Sequence, residues 1–387
     1  MNKVLFISQW YPHRYDPMFG LFVRKHAEAV AIYNEVACLY VFADHNISKT
    51  EIHINKLNIH EIIVYYPINS SDNSLIKFIK YAKAYLQGFH YLKNNWGKAD
   101  IIQANVFTRT AIVALIYKII HKTPYAVIEH WTRYFRTKTF NNKLHHYLSI
   151  QASKHANAVL PVTTHLQKCM EKHGMVNSNY IIINNVVDDI FYETITTPNN
   201  SKTRIINVTC FDDQQKNLTG ILNTIYKLSK TRTDFEIYLV GTGNDFEKIK
   251  SYSDKLDLTN KFVFFTGMRT NLDLVKLYQE SHFTLLFSNY ENIPVVISES
   301  LASGLPVIST DVGGIKEHIN SENGILIKPM DEESLFSAIE YMINHYATYN
   351  KAEIKRKALE KYSQKAVGAQ LNNIYNTILQ HDHQTNI

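Results

Sequence analysis

Two glutamates with seven residues between them, Glu291 and Glu299, stand in a segment suited to presenting both. It runs Ser288-Asn289-Tyr290-Glu291-Asn292-Ile293-Pro294-Val295-Val296-Ile297-Ser298-Glu299 and continues to Ala302-Ser303-Gly304-Leu305-Pro306-Val307. An apolar strand precedes it. Pro294 suits the first turn of a helix, where its missing N–H costs nothing, and Gly304 with Pro306 marks the stop. The spacing therefore predicts Glu291 in the loop before a helix and Glu299 on its second turn. Free amides near Val295 and Val296 lie at the positive end of that helix and can hold a phosphate between the two carboxylates. Glu291 can accept hydrogen bonds from sugar hydroxyls, and Glu299 from the two hydroxyls of a ribose. One strand, loop and helix would then read sugar, diphosphate and ribose in order.

Such a device needs a sheet to position it. Short apolar runs alternate with longer amphipathic stretches along the whole chain, the pattern of repeated βα units around a parallel sheet. Strands are expected at 4–8, 36–41, 62–65, 101–104, 126–129 and 159–162, and again at 205–210, 235–240, 263–265, 283–287 and 307–309. A polar stretch at 196–202 reads as a linker. The expected fold is α/β with two doubly wound, Rossmann-like parallel sheets facing across a cleft. The chain is expected to divide into residues 1–192, 193–361 and 362–387. Ligands of such sheets bind beyond the carboxyl ends of the strands.

The glutamate segment, followed by Asp311-Val312-Gly313-Gly314-Ile315-x-Glu317, resembles the signature of the GT-B fold family 4 glycosyltransferases. The resemblance covers nearly the whole chain. Asp100-Ile101-Ile102-Gln103-Ala104-Asn105 is similar to a family strand that usually carries histidines where Gln103 and Asn105 stand. Asn185-Val186-Val187-Asp188 with Phe191 resembles the end of the family's first domain, Gly241-Thr242-Gly243 its glycine turn, and Tyr362-Ser363 the start of its last helix.

The resemblance implies a retaining transferase that takes a hexose-type sugar from a nucleotide diphosphate donor, with 1–192 as an acceptor-binding domain, 193–361 as a nucleotide-sugar-binding domain and 362–387 as a C-terminal helix returning to the first. Glu291, Lys216 and His130 would be catalytic. Gly20, Glu299, Asn292, Ile293, Val295, Val296, Gly241, Met268 and Arg269 would bind the donor, while Trp131 and Arg133, with Glu129, would lie on the acceptor side. Lys216 matches the family lysine on the diphosphate. The arginine usual six residues earlier is Cys210 here, so Arg269 or the helix amides must carry that charge. UDP is the default nucleotide, because the loop Gly267-Met268-Arg269 would touch the base through its backbone. A nucleotide-sugar epimerase on the same scaffold and a non-catalytic sugar-binding subunit are the alternatives.

Composition fits a folded enzyme, with 45% hydrophobic and 20% charged residues. The three cysteines have no CxxC spacing, which removes a zinc knuckle or disulfide framework, and there is no Asp-x-Asp triplet. No cofactor, no metal and no nucleic-acid partner are expected. The apolar run at 4–8 is too short for a secretory segment and reads as a strand, so a cytoplasmic place is expected. Residues 1–190 hold 21 Lys and Arg against 12 Asp and Glu, and the remainder 20 against 23. A basic first half, with Lys77, Lys80 and Lys83 on an amphipathic helix bearing Leu75, Ile79, Leu86 and Phe89, suits an anionic membrane surface. Arg133, Arg136 and Lys138 would then help to reach a glycan or lipid-linked acceptor in surface polysaccharide biosynthesis.

Overall fold

The computed structural model describes residues 1–107, 109–135, 140, 142–193 and 201–385, the last three without their side chains. Most of the expected linker, together with Arg136 and Lys138, lies outside the described residues. The chain divides into two compact units: residues 1–162, 166–186 and 364–387 form the first, and residues 163–165 and 187–363 the second. These boundaries fall a few residues from those the sequence suggests, at 187 instead of 193 and at 364 instead of 362.

In the first unit the elements are β1 (Lys3–Ser8), α1 (Leu21–Ala31), β2 (Glu35–Asp44), β3 (Glu51–Lys56), β4 (His60–Pro67), α2 (Ser74–Asn95), β5 (Ile101–Asn105), α3 (Thr110–His121), β6 (Tyr125–Glu129), α4 (Lys143–His155), β7 (Ala158–Pro161) and α5 (Thr164–Lys172). The sheet order is β3-β4-β2-β1-β5-β6-β7. It is parallel apart from β3, which pairs antiparallel with β4. The central strands are mainly apolar because helices cover both faces, and Val4, Phe6 and Ile7 are fully buried.

The second unit contains β8 (Thr203–Val208), α6 (Asp213–Lys216), α7 (Leu218–Ser229), β9 (Phe235–Val240), α8 (Phe246–Lys255), β10 (Val263–Gly267), α9 (Asn271–Gln279), β11 (Phe283–Leu286), α10 (Val295–Ala302), β12 (Val307–Thr310), β13 (Gly324–Ile327), α11 (Glu332–His345) and α12 (Lys351–Tyr362). Its sheet is parallel, in the order β10-β9-β8-β11-β12-β13. Leu218, Ile221, Ile225, Phe235, Leu285 and Phe287 belong to its buried core. The last helix, α13 (Gln364–Thr385), belongs to the first unit and packs on α1. Its Tyr375 is fully buried and its hydroxyl donates to Gln103 Oε1 at 2.9 Å. Gln103 thus acts as an acceptor for that helix.

One expectation needs correction. Strands β3 and β13 were not expected. β3 is a charged, exposed edge and β13 is four residues opening on a glycine, so neither shows a long apolar run. On α2 the stripe against the sheet is Ala84, Tyr85, Gly88 and Leu92. Leu75, Ile79 and Leu86, expected on an apolar face, are exposed together with Phe78, on the same helix as the lysines. Lys80 is tied to Asp72 at 2.6 Å.

Candidate active site

In the second unit, the segment after β11 is held between two turns. On one side is α6, a four-residue helix whose ends are set by its sequence. Asp212 caps it by accepting from the Gln215 N–H at 3.2 Å, and Asn217, at φ 49°, ends it and caps α7 through the Gly220 N–H. Lys216 is therefore the last residue of a rigid turn. The Asn289 N–H donates to the Gln215 carbonyl at 2.8 Å, and the Asn289 side-chain amide to the Gln214 carbonyl at 2.9 Å. This brings the Lys216 ammonium onto Glu291 Oε1 as an ion pair, while the Gln215 amide donates to Glu291 Oε2 at 3.4 Å. Side-chain exposures of 13% and 8% keep most water from the pair, so its charges are weakly screened.

On the other side is the turn after β12. The Gly314 N–H donates to the Asn292 carbonyl at 2.9 Å, and the Thr163 hydroxyl to Asn292 Oδ1 at 3.0 Å. Gly313 has φ +60°, and a Cβ there would lie 1.9 Å from the Glu291 carbonyl oxygen. The loop carrying Glu291 and Asn292 is thus clamped through its own backbone. Thr163 and Gln215 were not singled out from the sequence; both lie more than seventy positions away from the loop they hold.

Pro294 is the residue before α10, which starts at Val295, so it stands one place earlier than expected. Val295 and Val296 form the first turn, with their amides at the positive end of the helix dipole. Glu299 is on the second turn, 8% exposed, and the Tyr278 hydroxyl lies 3.5 Å from its Oε2. Burial holds the Tyr278 phenol well above its ordinary pKa, and the Glu299 charge adds to the effect, so the hydroxyl keeps its proton to donate. At the helix end, the Leu305 N–H returns to Ser300 and the Gly304 N–H to Leu301, the pairing that closes a helix at glycine.

The glycine turn joins this set. The Gly241 N–H donates to the Gly267 carbonyl at 2.9 Å, which places Gly241 beside the loop of Met268 and Arg269, both exposed. The Asp213 N–H donates to Asp245 at 2.8 Å, linking α6 to the same turn. Burial raises the Asp213 pKa, but its bonds from Thr219 and the nearby Lys248 outweigh this, and the carboxyl titrates below its ordinary value. Cys210, where the resemblance led to an arginine, is an exposed free thiol.

In the first unit, Gly20, His130, Trp131 and Arg133 gather around one aromatic cluster. Gly20, at φ +66°, precedes α1. Phe22 of that helix packs 4.4 Å from the His130 ring, and His26 lies 5.5 Å from it. Trp10 meets Trp131 edge-on at 5.2 Å, and the Arg133 guanidinium lies 4.3 Å from the Trp131 ring. Burial drives the His130 pKa well below its ordinary value, and His26 adds to this, so the imidazole is neutral at neutral pH.

Glu129 was expected on the acceptor side, and the structure corrects this. It is fully buried; its Oε1 accepts from the N–H groups of His130 and Trp131 at 2.8 and 2.9 Å, and its Oε2 from Phe107 at 2.9 Å. Burial raises its pKa, with these bonds opposing. Glu129 is a positioning residue that holds the loop of His130 and Trp131 in place.

Residues 192–366 match the family model described as glycosyl transferases group 1. Over that segment, a little under half of its length, the chain resembles GT-B, family 4-like glycosyltransferases. Among curated relatives, an uncharacterized glycosyltransferase of Methanocaldococcus jannaschii is 26% identical over 164 residues, 42% of each chain. The lipopolysaccharide 1,6-galactosyltransferase of Escherichia coli is 25% identical over 197 residues, 48% of this chain and 54% of its own. The alignments therefore span about half or less of these relatives' lengths. The crystal structure of Anabaena HepE in complex with UDP superposes with a TM-score of 0.73 at 16% identity, covering 97% of this chain and 100% of that one. At that identity the likeness is one of fold.

Proposed function

We propose that the protein is a retaining glycosyltransferase that moves a hexose-type sugar from a nucleotide diphosphate donor to a hydroxyl of a glycan or lipid-linked acceptor in surface polysaccharide biosynthesis. The observation that carries this reading is the second unit's β11–α10 segment, along which Glu291, paired with Lys216 of α6, the first turn of α10 and Glu299 follow one another. Glu291 holds sugar hydroxyls, the amides of Val295 and Val296 and the Lys216 ammonium hold the diphosphate, and Glu299 holds the ribose. A lipopolysaccharide galactosyltransferase among the relatives and a UDP complex among the structures support the substrate class, with UDP as the first nucleotide to try.

In the proposed step the acceptor hydroxyl attacks the anomeric carbon from the face that the diphosphate leaves. The bond from that carbon to the phosphate oxygen breaks, the bond to the acceptor oxygen forms, and the acceptor proton passes to the departing phosphate oxygen. Positive charge on the ring at the transition state is balanced by the phosphate. Lys216, Arg269 and the helix dipole neutralise the leaving group, so no metal ion is required. His130, neutral and held by the Glu129 loop, orients the reacting hydroxyls.

Among the described residues no helix is long and apolar enough to cross a membrane. Peripheral attachment is supported by the exposed Leu75, Ile79, Leu86 and Ile120 of α2 and α3 beside a basic surface.

Calorimetric titration with a panel of nucleotide diphosphate sugars tests the donor assignment. One donor is expected to bind with micromolar affinity, and Glu299→Ala to weaken it about tenfold or more by removing the ribose contact. Unchanged affinity in that variant would contradict the ribose assignment, and the absence of any binding donor would contradict the reading as a whole.

A further inference from the structure

Two cavities of the first unit meet at Arg109. The first, of about 380 Å³, lies at the carboxyl ends of β1, β2 and β4 and is walled by aromatic side chains that include Trp10, Phe42 and Tyr85. The second, of about 540 Å³, runs between α2, α3 and α4 and is lined mainly by apolar groups such as Phe78, Ile112, Ile116 and Leu144. Ala43, Tyr66, Tyr81 and Arg109 line both, so the two form one continuous groove with a polar, aromatic end and an apolar end.

The groups at the junction suit an anion. The Arg109 guanidinium is exposed, lies 5.6 Å from the Tyr81 ring, and forms no ion pair among the described residues. At the aromatic end Tyr85 is only 4% exposed and meets the Tyr81 ring edge-on at 4.9 Å. At the other end Phe78, Ile116 and Leu144 are 65%, 52% and 65% exposed, so no described residue covers this apolar wall.

We infer that this groove is the acceptor site, and that it takes an amphiphile in which a glycan is joined through a phosphate to a hydrocarbon chain. Sugar rings stack on the aromatic walls, the phosphate sits on Arg109, and the chain lies between α2, α3 and α4. The three requirements follow from the three parts of the groove: flat π faces for sugar C–H groups, one unpaired planar cation for phosphate, and an uncovered apolar channel for the chain. The inference rests on the transferase reading and narrows its acceptor from any glycan to one linked to lipid through phosphate.

Dodecyl phosphate below its micelle concentration is the probe, with dodecyl maltoside, glucose 1-phosphate and phosphatidylglycerol vesicles as the other arms. Binding is read by calorimetry for the wild type, Arg109→Gln and Ile116→Asp; both positions are exposed enough to change without unfolding the unit. Dodecyl phosphate is expected to bind the wild type more tightly than either of the two probes that lack its phosphate or its chain. Each substitution should weaken it about tenfold or more. Equal binding to all three proteins, or no advantage over glucose 1-phosphate, overturns the assignment. Vesicle binding that survives Arg109→Gln with no dodecyl phosphate site also overturns it, because a bilayer then covers the apolar wall. Nucleotide diphosphate titrations of the same wild-type protein separate the two claims. A bound nucleotide without bound dodecyl phosphate removes only the acceptor inference, whereas no bound nucleotide removes the transferase reading beneath it.

Discussion

Glu291→Ala and Lys216→Ala are each expected to lower turnover about a thousandfold, and the double variant to lose little more than either alone. The two side chains form one unit: the ammonium rests on Glu291 Oε1, and both are largely enclosed by the loops that carry them. Removing one partner leaves the other charge poorly solvated, so each single variant also loses some stability, about 1–3 kcal/mol by analogy with half-removed hydrogen-bonded charges. Removing both relieves that penalty. The double variant should therefore be at least as stable as the singles while remaining inactive, and thermal unfolding alongside kcat separates folding from chemistry. Near-wild-type rates in either single variant, measured with the true donor, would remove that residue from the site.

Gly313→Ala is expected to reduce donor affinity about a hundredfold and to destabilise the second unit by about 2 kcal/mol or more. Two causes combine at this position. The φ of +60° disfavours any residue with a Cβ, and that Cβ would stand 1.9 Å from the Glu291 carbonyl oxygen, so the clamped loop must move. Gly267 separates the causes: its φ is +69°, but a Cβ there meets nothing within 4 Å. Gly267→Ala should cost only the backbone strain, about 1 kcal/mol. If the two variants proved equally stable, and donor binding to Gly313→Ala were unchanged, the clamp on Glu291 would have no role.

The loop and helix that carry Glu291 and Glu299 were legible because they are nearly contiguous. Glu291, Pro294, Glu299 and Gly304 are close in sequence, and proline and glycine have narrow backbone uses, so loop, helix and stop could be placed from residue types alone. The groups that hold this loop were not legible. Gln215, Asn289 and Thr163 are amides and hydroxyls of ordinary type, and their partners are far away in the chain, so no local pattern marks them. Helix α2 shows a different limit. Its sequence carries two apolar stripes, and period alone does not say which one meets the sheet. Packing chose the stripe of Ala84 and Gly88, where a Cβ on Gly88 would collide with Leu39, because small residues let the helix approach closely. The larger Leu75, Phe78 and Leu86 were left outward. Glu129 was misread because an acidic residue next to a candidate histidine suggests a ligand contact. Its carboxylate is used up by the backbone N–H groups of the loop it organises.

The central claim is that the Lys216–Glu291 loop directs a sugar from a nucleotide diphosphate to an acceptor with its anomeric configuration kept. Proton NMR of the transfer product, formed in excess chelator, tests this most directly through the coupling constant of the new anomeric proton. The account predicts transfer without added metal and the same anomeric configuration in product as in donor; an inverted product, or an absolute need for manganese or magnesium, would contradict it.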